Sequence, residues 1–311
     1  MIVAAGEALI DMVKNRDTKD GFISRPGGSA YNVACALGLL EQKIAFVCPI
    51  SNDPMGQLLQ EQLQQCGVEL ILKETVNAPT PLALVTLDHD NQAHYSFYRQ
   101  GTADRMVATF DMEKAPPSTT KILHITGFCL NEAEDYHHWM KIVTSVKELG
   151  GIISVDPNVR ADLITDAEDY RYRIKKLLAL ADVVKVSDED LQYLYNDMTL
   201  EQAKQHLQKI TLLSIITLGS KGAEAFTHNK KIAVKAFRTT SVIDTVGAGD
   251  CFSAAYLYSL EKIKADTPEK IRDLSEDQIK NMLTFSSVAA SINCERTGCQ
   301  PPRLNEIEAL L

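Results

Sequence analysis

"GIISVDPNVRADLITDAEDYRYRIKKLLALADVVKV" (residues 151–186) holds two short, nearly continuous apolar runs, "GIISVD" (151–156) and "ADVVKV" (181–186), with a helix-like segment at 169–180 between them. Such runs suit strands buried on both faces of a parallel sheet; a half-exposed strand would alternate apolar and polar residues. Similar runs stand on either side, "KILHIT" (121–126) and "LLSIITL" (212–218), with a second helix-like segment at 132–149. Towards the amino terminus, "IVAAG" (2–6), "IAFVCPI" (44–50) and "VELIL" (68–72) read as strands and Ser29 to Leu40 as a helix. Asp53-Pro54 supplies a cap followed by a first-turn proline, and Gly67 suits the end of that helix. The alternation specifies an α/β fold, an open, mostly parallel, doubly wound sheet with helices on both faces.

Two regions break the alternation. Residues 11–24 and 80–99 read as extended pieces, and "PLALVTLDHDNQAHYSFYR" (81–99) as a hairpin with Asp90-Asn91 near its turn. They form a small sheet beside the main domain, either a moving lid or an edge hairpin with no moving part. The segment "KADTPEKIRDLSEDQ" (264–278) reads as a polar surface excursion. No repeat or linker divides the chain, so the expectation is one domain over 1–311, with the small sheet spanning about 11–24 and 80–104.

A hydrophobic content of 45% with 23% charged residues is that of an ordinary globular chain. No apolar run reaches the roughly 18 residues that span a bilayer. "MIVAAGEALID" lacks a basic flank and carries Glu7 and Asp11 within its apolar stretch, so it does not read as a signal peptide. A net charge of −9 argues against a nucleic-acid partner but leaves room for a local basic pocket. The seven cysteines are scattered without a C-x-x-C pair, which fits reduced thiols in a cytoplasmic protein and no cysteine metal site. His137 and His138, adjacent on a helix, read as surface residues, and Tyr193 and Tyr256 as packing.

Chemistry concentrates in "SVIDTVGAGDCFSAAYLYS" (241–259), where a β-branched run meets a Gly-Ala-Gly turn, one carboxylate and a small-residue helix. Glycine lets other atoms approach the backbone. A helix starting near Ala248 presents unpaired amides that favour an anion. An acid in the same turn repels a stored anion, but it suits a phosphoryl group in transit: Asp250 accepts the proton of an attacking hydroxyl while the amides hold the developing charge. Taken alone, the turn is also explained by ordinary helix capping. No G-x-x-x-x-G-K-[ST] is present, and no G-x-G-x-x-G follows the first strand, so neither a P-loop nor a dinucleotide site is indicated. Upstream, "RPGGSAYNVACALGLLE" (25–41) places Gly27-Gly28 in a turn and Ser29 as a cap, with Asn32 projecting from the first helical turn. An amide there both donates and accepts, as a polyol requires, although a turn plus a capped helix is the simpler alternative.

Together, "GGSAYNVA" and "DTVGAGDCFSAA" resemble the two signatures of the ribokinase-like (PfkB) carbohydrate kinases, and the likeness covers nearly the whole chain. "GEALID" (6–11), "FYRQGTAD" (97–104), "DPNVR" (156–160) and "VKVSDED" (184–190) resemble blocks of the bacterial fructokinase branch. The resemblance implies a doubly wound α/β domain with a small β-sheet lid. It implies Asp250 as general base and the backbone of Gly247, Ala248 and Gly249 as anion hole. Asp11, Gly27, Gly28 and Asn32 match sugar contacts, Arg99 matches a lid arginine on the substrate side with Phe97 near it, and Arg160 and Lys185 match basic positions by substrate or phosphates. "TLGSKG" (217–222) resembles the nucleotide-binding turn, with Thr217, Gly219 and Gly222 close to ATP and Ser287 and Ala290 by the adenine.

Two points depart from the family pattern. Where many members carry N-x-x-E to organise Mg²⁺ and phosphate, this chain has Ser187 and Asp190, the shorter acid acting through water or simply lying in the first turn of a capped helix. Positions matching a monovalent cation site are Asp244, Val246, Asn293, Arg296 and Gly298, but Pro302 falls where ribokinases have a serine ligand, which puts potassium dependence in doubt. The reaction implied is transfer of the γ-phosphate of ATP to a primary hydroxyl of a ketose, D-fructose at O6 first. 2-Keto-3-deoxygluconate phosphorylation and a non-catalytic sugar-binding regulator are the alternatives. The expected partners are a small-molecule sugar and, by resemblance, a second copy in a homodimer, with no nucleic acid and no membrane.

Overall fold

Strand β1 (Ile2–Ala5) is buried on both faces: Ile2 and Ala4 enter one hydrophobic core, Val3 and Ala5 a second. The computed structural model describes residues 1–14, 18, 21–87 and 93–311. After β1 come β2 (Leu9–Lys14), β3 (Phe22–Gly27), α1 (Ser29–Leu39), β4 (Ile44–Val47), α2 (Pro54–Gln65), β5 (Glu69–Leu70), β6 (Leu82–Leu87) and β7 (Ala93–Tyr98). The middle of the chain forms β8 (Ile122–Thr126), α3 (Ala133–Glu148), β9 (Ile152–Asp156), α4 (Ala167–Leu178), β10 (Val183–Ser187), α5 (Asp188–Leu194), α6 (Leu200–Ile210) and β11 (Leu213–Thr217). It ends with β12 (Ala223–Phe226), β13 (Lys231–Val234), α7 (Ala248–Lys262), α8 (Pro268–Arg272), α9 (Glu276–Cys294) and α10 (Leu304–Glu308).

The main sheet has nine strands in the order β13-β12-β11-β10-β9-β8-β1-β4-β5. From β5 to β11 every pair is parallel; β12 and β13 extend the sheet antiparallel. Helices α1, α2, α7 and α9 cover one face and α3 to α6 the other, each contributing to its own core. The fold is therefore doubly wound. Burial on both sides is why the strand runs lack alternation. A ligand crevice in such a sheet lies beyond the carboxyl ends of the strands, and that edge here carries Thr126, Asp156 and Ser187.

The small sheet has four strands, β3-β2-β6-β7, with β2 and β6 parallel and the outer pairs antiparallel. It starts at Leu9 and its last strand ends at Tyr98; Ala103–Thr109 is a helical turn, so the sheet stops short of residue 104. The turn at Asp90-Asn91 lies outside the described residues. Three further expectations change. The run at 68–72 forms a strand only at Glu69–Leu70: the Ile71 N–H makes the last bond to β4, on the Phe46 carbonyl at 3.0 Å, and the Ile71 and Leu72 side chains pack on a core. The polar segment 264–278 contains α8 and buries Ala265, Ile271 and Leu274, so it is part of the packed body. His137 is exposed, but His138 is half-buried. Among the described residues no helix is long and apolar enough to cross a membrane.

Candidate active site

Helix α7 starts from Gly247, whose φ of 75° lies in the left-handed region. A Cβ there would sit 2.3 Å from Cys299 Sγ, so both the backbone angle and the space require glycine. The Ala248 N–H donates to the Thr245 carbonyl at 3.2 Å, so one of the three expected anion-hole amides is already engaged. The Gly249 and Asp250 amides have no carbonyl four residues back within the helix, and the helical bonds begin with the Cys251 N–H on the Gly247 carbonyl at 2.9 Å. Gly249 is exposed, which leaves that end of the helix open to an incoming anion.

Asp250, in the first turn of α7, is buried. Ser29 Oγ donates to its Oδ1 at 2.6 Å and Asn32 Nδ2 to its Oδ2 at 2.8 Å. The two glycine-bearing signatures thus converge on one carboxylate. Ser29 does not cap α1: the cap is Gly28, without a side-chain bond, and the Ser29 hydroxyl belongs to Asp250. The Ser29 N–H is taken instead by Glu7 Oε1 at 2.5 Å, while Glu7 Oε2 accepts from Thr126 Oγ1 at 2.9 Å. Gly28, at φ 107°, is needed because a Cβ would lie 2.6 Å from the Glu7 carbonyl oxygen. A Cβ at Gly27 would lie 2.3 Å from Asp11 Oδ2, so a side chain there would push the Asp11 carboxylate aside.

Burial pushes the Asp250 carboxyl above its ordinary range, while the Ser29 and Asn32 donors and the Lys185 charge pull it back. Burial also raises Asp11 to about 7; Arg160 opposes the rise, and the charges of Asp250 and Glu7 add to it. Lys185 is buried, with Nζ 2.7 Å from Asp156 Oδ2. Burial works against its charge, but Asp156 outweighs that and holds the ammonium above its ordinary value. A Cβ at Gly249 would lie 3.0 Å from Lys185 Nζ, so the ammonium sits directly beside the start of α7. A helix N-terminus and a buried cation together suit a multiply charged phosphate.

Asp190 is half-buried and raised to about 6, first by burial and then by Asp156, with Lys185 and Arg160 opposing. Ser187 caps α5 by accepting the Asp190 N–H at 3.0 Å, so the capping interpretation of this turn holds. Arg160 is exposed. Further along the crevice edge, Thr217 ends β11, and Gly219 and Gly222 adopt φ of 55° and 104°. Ser287 Oγ accepts the Phe237 N–H at 2.9 Å and Ser291 Oγ donates to the Phe237 carbonyl at 3.0 Å. Ser287 thereby ties α9 to the segment after β13, and Ala290, half-buried, lies on the same helix. Phe97 faces inward against Phe128, and Arg99 is buried in an ion pair with Asp104.

Around the expected monovalent cation position, Asp244 accepts from the Val246 and Gly298 amides at 3.0 and 2.7 Å. Asn293 Nδ2 donates to the Val246 carbonyl at 2.8 Å, and Arg296 pairs with Glu306 and donates to the carbonyls of Gln300 and Pro301. These donors hold one loop to another, and a cation would have to share oxygens already engaged. Among the described residues no cluster of three or more His, Cys, Asp or Glu could hold a metal. A single carboxylate such as Asp190 suits only an ion that arrives on phosphates and keeps most of its waters.

Glu7, Ser29, Thr126, Asp156 and Asp104 are neighbours of the candidate site residues that motif reading did not single out for these contacts. Glu7 and Asp156 are acids inside or ending apolar runs, an arrangement that buries a charge and demands a partner, and that signal could have found them.

A model of the pfkB family carbohydrate kinase matches residues 1–306. The chain is 35% identical over 285 residues to a fructokinase of Rhizobium leguminosarum bv. trifolii, covering 90% of this chain and 86% of the relative. It is 33% identical over 321 residues to fructokinase-2 of Solanum lycopersicum, covering 100% and 95%. Among solved structures, fructokinase with bound ATP from Xylella fastidiosa superposes with a TM-score of 0.88 at 28% identity, covering 99% of this chain and 97% of that one. Fructokinase from Vibrio cholerae O395, in a fructose, ADP and calcium ion bound form, superposes at 0.83 and 26%, covering 100% and 98%. With the signatures meeting at Asp250 and the family model spanning almost every residue, the chain belongs to the pfkB family of carbohydrate kinases.

Proposed function

We propose that the protein transfers the γ-phosphoryl group of ATP to O6 of D-fructose. The observation that carries this reading is Asp250, buried at the open start of α7 and oriented by Ser29 and Asn32. Asp250 takes the proton of the sugar hydroxyl as its oxygen attacks in line. The new O6–phosphorus bond forms as the bridging bond of ATP breaks, and ADP leaves. The α7 amides and Lys185 hold the charge on the transferring group. Asp190 would hold, through water, a magnesium ion carried by the phosphates, which would supply further neutralisation there. Asp11 and Asn32 orient sugar hydroxyls, and Thr217, Gly219, Gly222 and the α9 face at Ser287 and Ala290 would flank the nucleotide. If potassium acts at all, the loops carrying Asp244, Val246, Asn293, Arg296 and Gly298 would hold it. The four-stranded sheet would serve as a lid that excludes water.

A panel of sugars with coupled ADP detection tests the reading. Fructose turnover with negligible 2-keto-3-deoxygluconate turnover supports it, and the reverse sinks it. Asp250→Asn should lower kcat by roughly 10²–10⁴-fold and spare ATP binding. Sugar binding without ADP formation would support the regulator instead. A homodimer is the assembly the resemblance suggests, which sedimentation would test. The seven free cysteines favour a reducing, cytoplasmic setting.

A further inference from the structure

Two arginines stand on the proposed sugar side, and the buried one, Arg99, is paired with an acid. Arg99 donates from Nε and Nη2 to Asp104 Oδ2 at 2.9 and 2.7 Å. The Thr102 hydroxyl donates to Asp104 Oδ1 at 2.6 Å, folding the start of the 103–109 turn back onto the arginine. Both residues of the ion pair are buried, so water screens it little. The guanidinium lies 4.2 Å from the centre of the Phe128 ring; Phe128 meets Phe97 at 5.5 Å, and Phe97 stacks on Tyr95 at 5.8 Å. This row runs along the inward side of β7, from Tyr95 near the charges of Asp11 and Arg160 to the buried pair. Arg160, which is exposed, lies near enough to Asp11 and Asp190 for its charge to lower both carboxyls, without a hydrogen bond to either among the described residues. Among the described residues Arg99 Nη1 is buried without a hydrogen-bond partner.

We infer that Asp104 is a specificity-determining residue: by neutralising Arg99 it fits the pocket to uncharged polyols and excludes sugar acids. The inference rests on the fructose-kinase reading above. A hydroxyl can take the spare Nη1 donor at little electrostatic cost. A carboxylate brought to the same wall loses its water and finds no net positive charge in return. A guanidinium without an acidic partner is the opposite case, a planar fork matched to a carboxylate. Removing the Asp104 charge while keeping its shape therefore opens the pocket to acids through Arg99.

The test compares the wild type with Asp104→Asn on D-fructose and on 2-keto-3-deoxygluconate, both with Mg-ATP. In the variant, the ratio of kcat/KM for the acid to that for fructose is expected to rise about tenfold or more, through a lower KM for the acid, and Arg99→Gln in that background should remove the gain. A variant that phosphorylates fructose at an unchanged ratio overturns the inference, as does a gain that survives Arg99→Gln. A second arm needs no variant and covers the case of a misfolded Asp104→Asn protein. 2-Keto-3-deoxygluconate and its neutral amide compete against fructose on the wild type. The amide is expected to bind about tenfold more tightly than the acid, and equal competition overturns the inference. Wild-type fructose turnover checks the underlying reading separately: preference for the acid would sink both, whereas fructose turnover with equal competition sinks the inference alone.

Discussion

The Ser29 hydroxyl donates to the Asp250 carboxylate over 2.6 Å, joining residues 221 positions apart. This contact couples the start of α1 to the start of α7 and gives the candidate base one of its two charge-favouring hydrogen bonds. Burial raises the Asp250 pKa and the Ser29 bond lowers it. A base must be ionised, so kcat/KM for the sugar should fall as pH drops through the Asp250 pKa. Ser29→Ala removes a donor to the charged form, so that acid limb should move to higher pH, with little change on the alkaline side. pH–rate profiles of the two proteins read this directly. An acid limb that stays in place would show that Ser29 does not tune the base.

Asp11 sets function against stability. Its carboxyl is raised to about 7, chiefly by burial, from an ordinary value of 3.8. Between those values the folded protein holds a proton that the unfolded chain has released. Ionising Asp11 in place therefore costs stability that grows as pH rises through this window and levels off above about 7. Asp11→Asn should be more stable than wild type at pH 8, by on the order of a few kcal/mol at most, with the advantage shrinking towards pH 4. Sugar affinity should fall in the same variant. Melting curves across pH check the first claim, and a variant advantage greatest at low pH would contradict it.

Gly247 and Gly67 separate backbone strain from steric fit. Both have positive φ, 75° and 74°, but a Cβ at Gly67 meets nothing within 4 Å, whereas one at Gly247 meets Cys299. Gly67→Ala should lower stability by about 1 kcal/mol through conformation alone and leave turnover intact. Gly247→Ala must also displace Cys299 or the helix start, so it should cost more, about 2–4 kcal/mol, and reduce kcat sharply. Chemical denaturation with parallel kinetics distinguishes the two, and equal effects would mean that the turn at 247 tolerates a side chain.

Periodicity and glycine chemistry are local properties, and what they encode was readable from the chain. The runs around Ile122, Ile152, Val183 and Leu213 are apolar without alternation because both faces are covered, and they form neighbouring parallel strands. The Gly247 turn and the acid after it announce an open helix start. What stayed hidden depends on partners brought together by the fold. Nothing near Ser29 says that its hydroxyl serves Asp250 and not its own helix, and nothing near Lys185 names Asp156, 29 residues away, as its counter-ion. The Ala248 amide likewise looked free until Thr245 turned its carbonyl towards it. Arg99 and Asp104 are only five residues apart, yet their pairing requires the turn at Gln100-Gly101, closed by the Thr102 N–H on the Arg99 carbonyl, to bring the chain back.

Glu7 provides the sharpest test of this architecture. It is buried at the end of the first strand connection, and its two oxygens accept from the Ser29 amide and the Thr126 hydroxyl. Burial pushes its carboxyl upward, and both hydrogen bonds pull it back. Gln is isosteric with the protonated acid: its Oε1 can accept the Ser29 N–H, and its amide can donate to Thr126 Oγ1 once that hydroxyl rotates. Glu7→Gln should therefore stay within about 1 kcal/mol of wild type and keep most activity. Glu7→Ala leaves a buried N–H and a buried hydroxyl without partners and opens a cavity beneath α1, so it should lose about 2–4 kcal/mol. Because Ser29 links this point to Asp250, the alanine variant should also lose kcat by a larger factor than its melting temperature alone explains at 25 °C, where the protein remains folded. Equal stability of the two variants would show that the Glu7 hydrogen bonds do not anchor the helix.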